Sequence, residues 1–496
     1  MRVILILFDS LNRHQLGPYG GTVVTPAFDR LAARGVTHDR HYVGSLPCIP
    51  ARRDMQTGRT CFFHRSWGPL EPFDISYCDV LRKAGGTSHL ITDHFHYFEP
   101  GGGGYHDRFD SWEFMRGQEF DPWTPTPGAS AEGFSPRHYD PARFPGRARH
   151  LANRARMADE EDMPLPRCFA AADRFLDRMG NEDNWLLQLE LFDPHEPFHV
   201  PERYRRPGDS DYAGPVLDWP DYRELAETPA EIAEIRANQA ALLRMCDHYL
   251  GRLLDRMDAQ DMWRDTAVIL TTDHGFLLGE HGWWGKSRMP CYEEISHIPL
   301  IVARPGAGTQ AGSRRADLTQ TPDLAPSLLT LFGISPPAAM TGRTFPCLGG
   351  PSEPGRIVAF GLFAGPVGVT DGRYVLLHYP PDLGAPGLNE YTLAPQHPGA
   401  DFSADELAEA RLVASAPGFA GWPVLRVPAL PGARRPPARG RPYADLGTRL
   451  FDLAADPRQE RPFRDQGIEA RLYDGLRDYM ARQEAPPEYV DWLGLE

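Results

Sequence analysis

The chain has 496 residues, 41% of them hydrophobic, with 52 Lys+Arg against 67 Asp+Glu and a formal net charge of −15. The apolar share builds a sizeable core and excludes a mostly disordered chain, while the acidic balance excludes the basic face that nucleic-acid phosphates require. Seven cysteines, at 48, 61, 78, 168, 246, 291 and 347, are too few and odd in number for a secreted disulfide scaffold.

Residues 3–8 form a short, wholly apolar run that ends at Asp9 without a small-residue cleavage site, which is unlike a signal peptide. No stretch approaches the roughly 20 apolar residues that cross a bilayer. The expectation is a soluble, cytoplasmic protein with no membrane partner.

Read in order, the run 3–8 predicts a strand buried on both faces of a parallel sheet. Thr25-Pro26 predicts a cap and first turn for a helix over 27–34, closed by Gly35. Helix–strand alternations follow at 74–84 with 87–91, at 167–179 with 185–191, and at 229–258 with 267–272; a strand over 298–303 then precedes a helix over 322–332. Repeated units of this kind predict an α/β fold, a large doubly wound sheet that is mixed but mostly parallel. The Gly-, Pro- and aromatic-rich stretch 99–165 reads as an irregular insertion over one sheet edge. From about residue 351 the character changes. Strands over 357–363 and 374–378 flank the turn signal Asp371-Gly372, 380–445 is loop-like with Arg-Arg-Pro-Pro at 434–437, and a helix over 466–482 ends the chain. The domains predicted are a catalytic unit over 1–350 and a smaller antiparallel one over 351–496.

In open α/β sheets ligands sit at the carboxyl ends of the strands. Three predicted strands end in Asp9-Ser10, Asp193-Pro194-His195 and Asp273-His274-Gly275, a set of carboxylates and imidazoles suited to a divalent cation. Aspartate oxygens suit Ca²⁺, Mg²⁺ or Mn²⁺, and an imidazole tilts the choice away from Mg²⁺. Taken singly, each acid could instead cap the next turn. Only Lys83 and Lys286 are lysines. Lys83 lies at a predicted helix end, where its charge favours the dipole, whereas Lys286 follows the third of these strands.

Cys48-Ile49-Pro50-Ala51-Arg52, followed by Thr57-Gly58-Arg59, contains Cys-x-Pro-x-Arg. With it, in order, stand Asp9-Ser10-Leu11, Thr25-Pro26-Ala27, Asp193-Pro194-His195-Glu196-Pro197-Phe198, Thr272-Asp273-His274-Gly275, Gly279-Glu280-His281-Gly282, Gly285-Lys286, Pro322-Asp323-Leu324 and Phe451-Asp452-Leu453. Together these segments resemble the sulfatase family of the alkaline-phosphatase superfamily along nearly the whole chain. The resemblance implies that Cys48 is converted to Cα-formylglycine by a maturation enzyme. Its aldehyde hydrate would attack a small anionic ester with one hydroxyl and expel the bound sulfate with the other, so one hard step becomes two. It implies a single divalent ion, Ca²⁺ or Mn²⁺ ahead of Mg²⁺ or Zn²⁺, held by Asp9, Asp273, His274 and the Cys48-derived hydroxyl. Arg52 would hold the hydrated aldehyde, and His195 and Lys286 would touch substrate oxygens, with His195 as acid to the leaving group. His281 reads as support for the His274 loop.

Two positions depart from the family. Ser10 stands where a second Asp is common, and Thr92-Asp93-His94-Phe95-His96 stands where Gly-Lys-x-His is common. His94 and His96 then become candidate substrate contacts, since alternate residues after a strand point the same way. Both departures are shared with phosphonate monoester and phosphodiester hydrolases, which keeps phosphorus open beside sulfur as the electrophile. Tyr97, Tyr105, Trp112, Phe114 and Trp123 are the aromatics available to wall the alcohol. A metal- or partner-binding protein with unconverted Cys48 is the reading outside enzymology. Oligomeric state stays open.

Overall fold

The computed structural model describes every residue except 128, 141, 145, 415–418, 420, 431–442 and 496. The Arg-Arg-Pro-Pro segment at 434–437 therefore lies outside the described residues. An eight-stranded sheet forms the frame. Its centre is Arg2–Phe8, whose Val3 to Phe8 are all buried, flanked in parallel by Trp185–Leu191 and Thr266–Thr271. Thr87–Thr92 and the short edge strand Ser111–Phe114 extend it on one side. On the other side Leu300–Ala303 runs antiparallel, followed by Val36–Tyr42 and Ser313–Gln320. The sheet is thus mixed and mostly parallel. Val36–Tyr42 carries Thr37, His38, Asp39, Arg40 and His41 in succession, so no apolar run announces it; its two sheet neighbours supply the burial.

Helices cover both faces. Pro229–Ala259 starts in a reciprocal Thr228–Glu231 capping box and packs on Pro26–Arg34. The latter helix corrects one expectation. Thr25 makes no capping bond; Asp247 of the long helix accepts the Ala27 and Phe28 N–H groups at 2.8 and 3.1 Å, and the Thr25 hydroxyl takes the Gly17 N–H instead.

The second half is more structured than its sequence shows. Between the strands expected over 357–363 and 374–378 lies another, Val367–Thr370, which pairs with both Val358–Gly361 and Tyr374–His378; the turn at Asp371-Gly372 joins it to Tyr374–His378. Arg449–Asp452 completes this antiparallel sheet. The loop-like stretch supplies further short strands from Asn389–Thr392 to Val424–Pro428, and helix Pro487–Trp492 follows Gln466–Arg482. Side chains from both halves, among them Tyr42, Phe62, Phe360 and Leu476, share one apolar cluster. All seven cysteines are free and buried. Among the described residues no helix is long and apolar enough to cross a membrane.

Candidate active site

The parallel register brings the strand ends level. Phe8 pairs with Leu191 and Leu7 with Thr271, so Asp9, the 192–196 loop and Asp273-His274 converge at one edge. Above them begins helix Cys48–Thr57, every residue of which is buried. Cys48 stands at its first turn and Arg52 one turn on, on the same face.

Arg52 is the electrostatic hub. Its Nη2 donates to Asp9 Oδ2 at 2.8 Å, Nη1 to Asp273 Oδ2 at 2.6 Å and Nε to Glu190 Oε1 at 2.6 Å, while Nη1 also donates to the Cys48 carbonyl at 3.1 Å. All four side chains in this cage are at most 1% exposed. Burial opposes the guanidinium charge, but Glu190, Asp273 and Asp9 outweigh it and raise its pKa further. Burial likewise would raise the Asp9 carboxyl, yet Arg52, His195 and Lys286 hold it well below the usual range. Arg52 reaches Cys48 through its backbone, not its side chain, so in this geometry it organises the acids around the cysteine.

The Cys48 thiol lies 3.3 Å from His274 Nε2 and 3.5 Å from Lys286 Nζ. Burial, then the Asp9 charge, pushes that thiol up and keeps it protonated. Asp9, Cys48, Asp273 and His274 each offer a ligand atom, and these atoms lie within 4.8 Å of one another. Two carboxylates, an imidazole and the position-48 side chain suit a divalent ion with mixed oxygen and nitrogen preference. Ser10, with φ 58°, does not stand in for a second aspartate. Its hydroxyl donates to Asp9 Oδ1 at 2.8 Å and accepts from Lys286 Nζ at 2.8 Å, so it ties the lysine to the acid.

His195 Nδ1 donates to the Glu196 carbonyl at 2.5 Å, which turns Nε2 toward Asp9 Oδ1 at 4.0 Å. Burial and then Lys286 lower its pKa. The two candidate histidines part company. His94 is fully buried, its Nε2 is 3.4 Å from Asp9 Oδ2, and its Nδ1 has no hydrogen-bond partner among the described residues. His96 turns away, with Nδ1 2.5 Å from Glu99 Oε1 and Nε2 3.4 Å from Glu119 Oε2. Burial works against its charge, but these two acids raise it to about 9. Because the folded value lies above the ordinary 6.5, this charge adds stability that is complete below about 6.5 and is lost as pH rises through about 9. His96→Asn is therefore expected to flatten the melting temperature across that interval; an unchanged alkaline slope in thermal melts would contradict it.

A cavity of about 430 Å³ opens over Cys48, Lys286 and His195. Its aromatic wall is Trp67, Phe120, Phe144, Trp219 and Tyr222. This corrects the five aromatics read from the sequence, none of which lines it. Tyr97 hydrogen-bonds Glu190, Tyr105 is buried against the Gly68 carbonyl, and Trp123 packs on the core. Phe114 stacks on Phe98 at the sheet edge, and Trp112 is 44% exposed there.

Glu190 and Glu119 escaped the sequence reading. Glu190 left a trace: Gln188 and Glu190 alternate within Leu186-Leu187-Gln188-Leu189-Glu190-Leu191, so both share one face of an otherwise apolar strand. Glu119, in the irregular stretch, left none. His281 lies 3.2 Å from Glu294 and stacks on Tyr292, beside the segment whose Ile295 carbonyl accepts the Gly275 N–H.

A family model described as Sulfatase matches residues 2–334. An N-acetylglucosamine-6-O-sulfatase from Bacteroides thetaiotaomicron is 23% identical over 410 residues, covering 69% of each chain. A multifunctional alkaline phosphatase superfamily protein, PehA, from Trinickia caryophylli is 25% identical, over 64% of this chain and 70% of that protein. Among solved structures, a phosphonate monoester hydrolase from Silicibacter pomeroyi superposes with a TM-score of 0.64 at 21% identity, over 99% of this chain and 96% of the other.

Proposed function

The chain belongs to the sulfatase family, and from that premise we propose that it hydrolyses sulfate monoesters, R–O–SO₃⁻ + H₂O → ROH + SO₄²⁻ + H⁺, at Cys48. The observation that carries the reading is the position of Cys48. It sits at a helix start on the floor of the cavity, within 3.5 Å of His274 and Lys286. Its thiol is held protonated, which suits a residue whose chemistry begins only after oxidation. Formylglycine at this position would supply, as its hydrate, the hydroxyl that attacks sulfur and the hydroxyl that later expels sulfate. Its formation requires a maturation enzyme in the same cell. A divalent ion, Ca²⁺ or Mn²⁺, held by Asp9, Asp273, His274 and residue 48, would supply Lewis acidity and lower the pKa of that hydroxyl.

The chain's own residues do the rest. Lys286, its charge reinforced by the surrounding acids despite burial, places an ammonium beside the nucleophile, where it binds a sulfuryl oxygen and offsets charge on it. His195, its Nδ1–H fixed on a carbonyl, aims Nε2 into the reaction space; in the imidazolium form, protonated from solvent when the anionic substrate lies beside it, that nitrogen gives its proton to the departing alkoxide. His94, fully buried with Nε2 3.4 Å from Asp9 Oδ2, bears on the site through that carboxylate. His96 belongs to the cavity wall. The aromatic faces bury the R group.

Ser10, tied to Lys286 in place of a second aspartate, favours one other reading, hydrolysis of phosphonate monoesters and phosphodiesters by the same nucleophile. Rates on 4-nitrophenyl sulfate and phenyl 4-nitrophenylphosphonate decide between them. The sulfate ester is expected to give the higher kcat/KM, and a preference of about 10²-fold or more for the phosphonate, worth about 2.7 kcal/mol, would overturn the assignment.

A further inference from the structure

Behind the catalytic loops lies a second group of acids that the chemistry above does not use. Asp93 follows strand Thr87–Thr92 and Asp193 follows Trp185–Leu191, adjacent strands that pair Thr92 with Glu190. The Gln118 side-chain amide nitrogen donates to both, at 3.0 Å to Asp93 Oδ2 and 3.1 Å to Asp193 Oδ1. Asp93 Oδ1 also accepts the Phe192 N–H at 2.7 Å. The two carboxyls are 0% and 5% exposed. The ionisable groups that face them are Cys168 and Cys246, from the helices below, and Glu190 from the strand that Asp193 follows. None of these is a cation.

Two carboxylates on one amide nitrogen in a buried site without a cation each disfavour the other's charge. We propose that Asp93 and Asp193 hold one proton between them, and that this pair positions the loops bearing His94 and His195. The connection is direct. Asp93 and Asp193 each lie within two residues of one of those histidines, and Gln118 precedes Glu119 and Phe120 of the cavity wall. Losing the proton to hydroxide leaves two buried anions on one amide, and their repulsion pushes the loops apart. Burial raises both acids, Asp93 to about 7 and Asp193 well above the ordinary carboxyl value. The values belong to the pair. Stability from this source is complete below about 3.9, the ordinary carboxyl value, and is lost as pH rises through about 7.

Asp193→Asn imitates the protonated partner: its oxygen still accepts from Gln118 and its new N–H₂ donates to Asp93. Melting temperatures of the full chain are expected to fall more steeply for wild type than for D193N between about pH 5.5 and 9, so that the variant is the more stable one at the alkaline end. The wild-type-minus-D193N infrared spectrum at neutral pH is expected to show a protonated-carboxyl C=O stretch. Parallel melting curves together with no such band would overturn the shared proton. Should D193N fail to fold, D93N supplies the same two readouts. The consequence for catalysis rests on the sulfatase reading: the alkaline limb of kcat moves to higher pH in D193N, and an unmoved limb would refute the positioning role. An enzyme inactive on sulfate esters at every pH would defeat that reading while the melts and spectra still judged the pair.

Discussion

Cys48→Ala is expected to reduce turnover of sulfate esters by at least about 10⁴-fold, the scale seen when a covalent nucleophile is deleted, with little change in melting temperature. The small structural cost follows from the site. Cys48 is 3% exposed but borders the cavity, so its sulfur leaves a gap that water can enter rather than a dry void. Cys48→Ser separates the two ways in which the position can act. A serine keeps a hydroxyl that can attack sulfur, yet lacks the second hydroxyl that expels the product, so one turnover with retained sulfate is expected and multiple turnovers are not. The same measurement reads the modification. Oxidation of Cys48 to the aldehyde lowers the mass of its peptide by about 18 Da, and specific activity should scale with the converted fraction. Full activity from peptide of unshifted mass would refute the scheme.

The anchor residues were legible because each is a short local pattern: an apolar run followed by an acid, or a cysteine, proline and arginine spaced to open a helix. Once the strands are parallel, the topology brings such ends together whatever lies between them, so Asp9, His195 and Asp273 meet although 264 positions separate the first from the last. What was not legible is whatever depends on contacts between distant segments. Strand Val36–Tyr42 reads as polar because its burial comes from neighbours. The sequence points to the aromatics of 97–123 for the cavity wall, whereas that wall draws Trp67 from one loop, Phe120 and Phe144 from the insertion, and Trp219 and Tyr222 from another loop. His94 and His96 were expected to act together because they alternate after a strand. The backbone instead turns into a short 3₁₀ segment over Phe95–Phe98, where the period-2 rule no longer applies. Thr25 looked like a cap until Asp247, more than two hundred residues away, took its place.

Arg52 carries the second large effect, and it falls on stability as much as on catalysis. Arg52→Ala is expected to cost about 3–5 kcal/mol of folding free energy, because Asp9, Glu190 and Asp273 are then left facing one another in a dry cage. Arg52→Lys should recover little of this. Three nitrogens of the guanidinium fork serve three separate carboxylates, and one ammonium on a flexible stem cannot span them. The double variant Arg52→Ala with Glu190→Gln discriminates this cause from lost packing. If unpaired charge dominates, neutralising Glu190 in the absence of Arg52 should restore stability, so the double variant melts above Arg52→Ala and the coupling reaches about 1–3 kcal/mol. If packing dominates, the two losses add. Glu190 is the informative partner because it lies outside the ligand set of Asp9, Cys48, Asp273 and His274, so its neutralisation changes the charge around Arg52 without removing a ligand. A single-variant loss below about 1 kcal/mol, or plain additivity in the cycle, would show that the three acids do not depend on Arg52 for their burial.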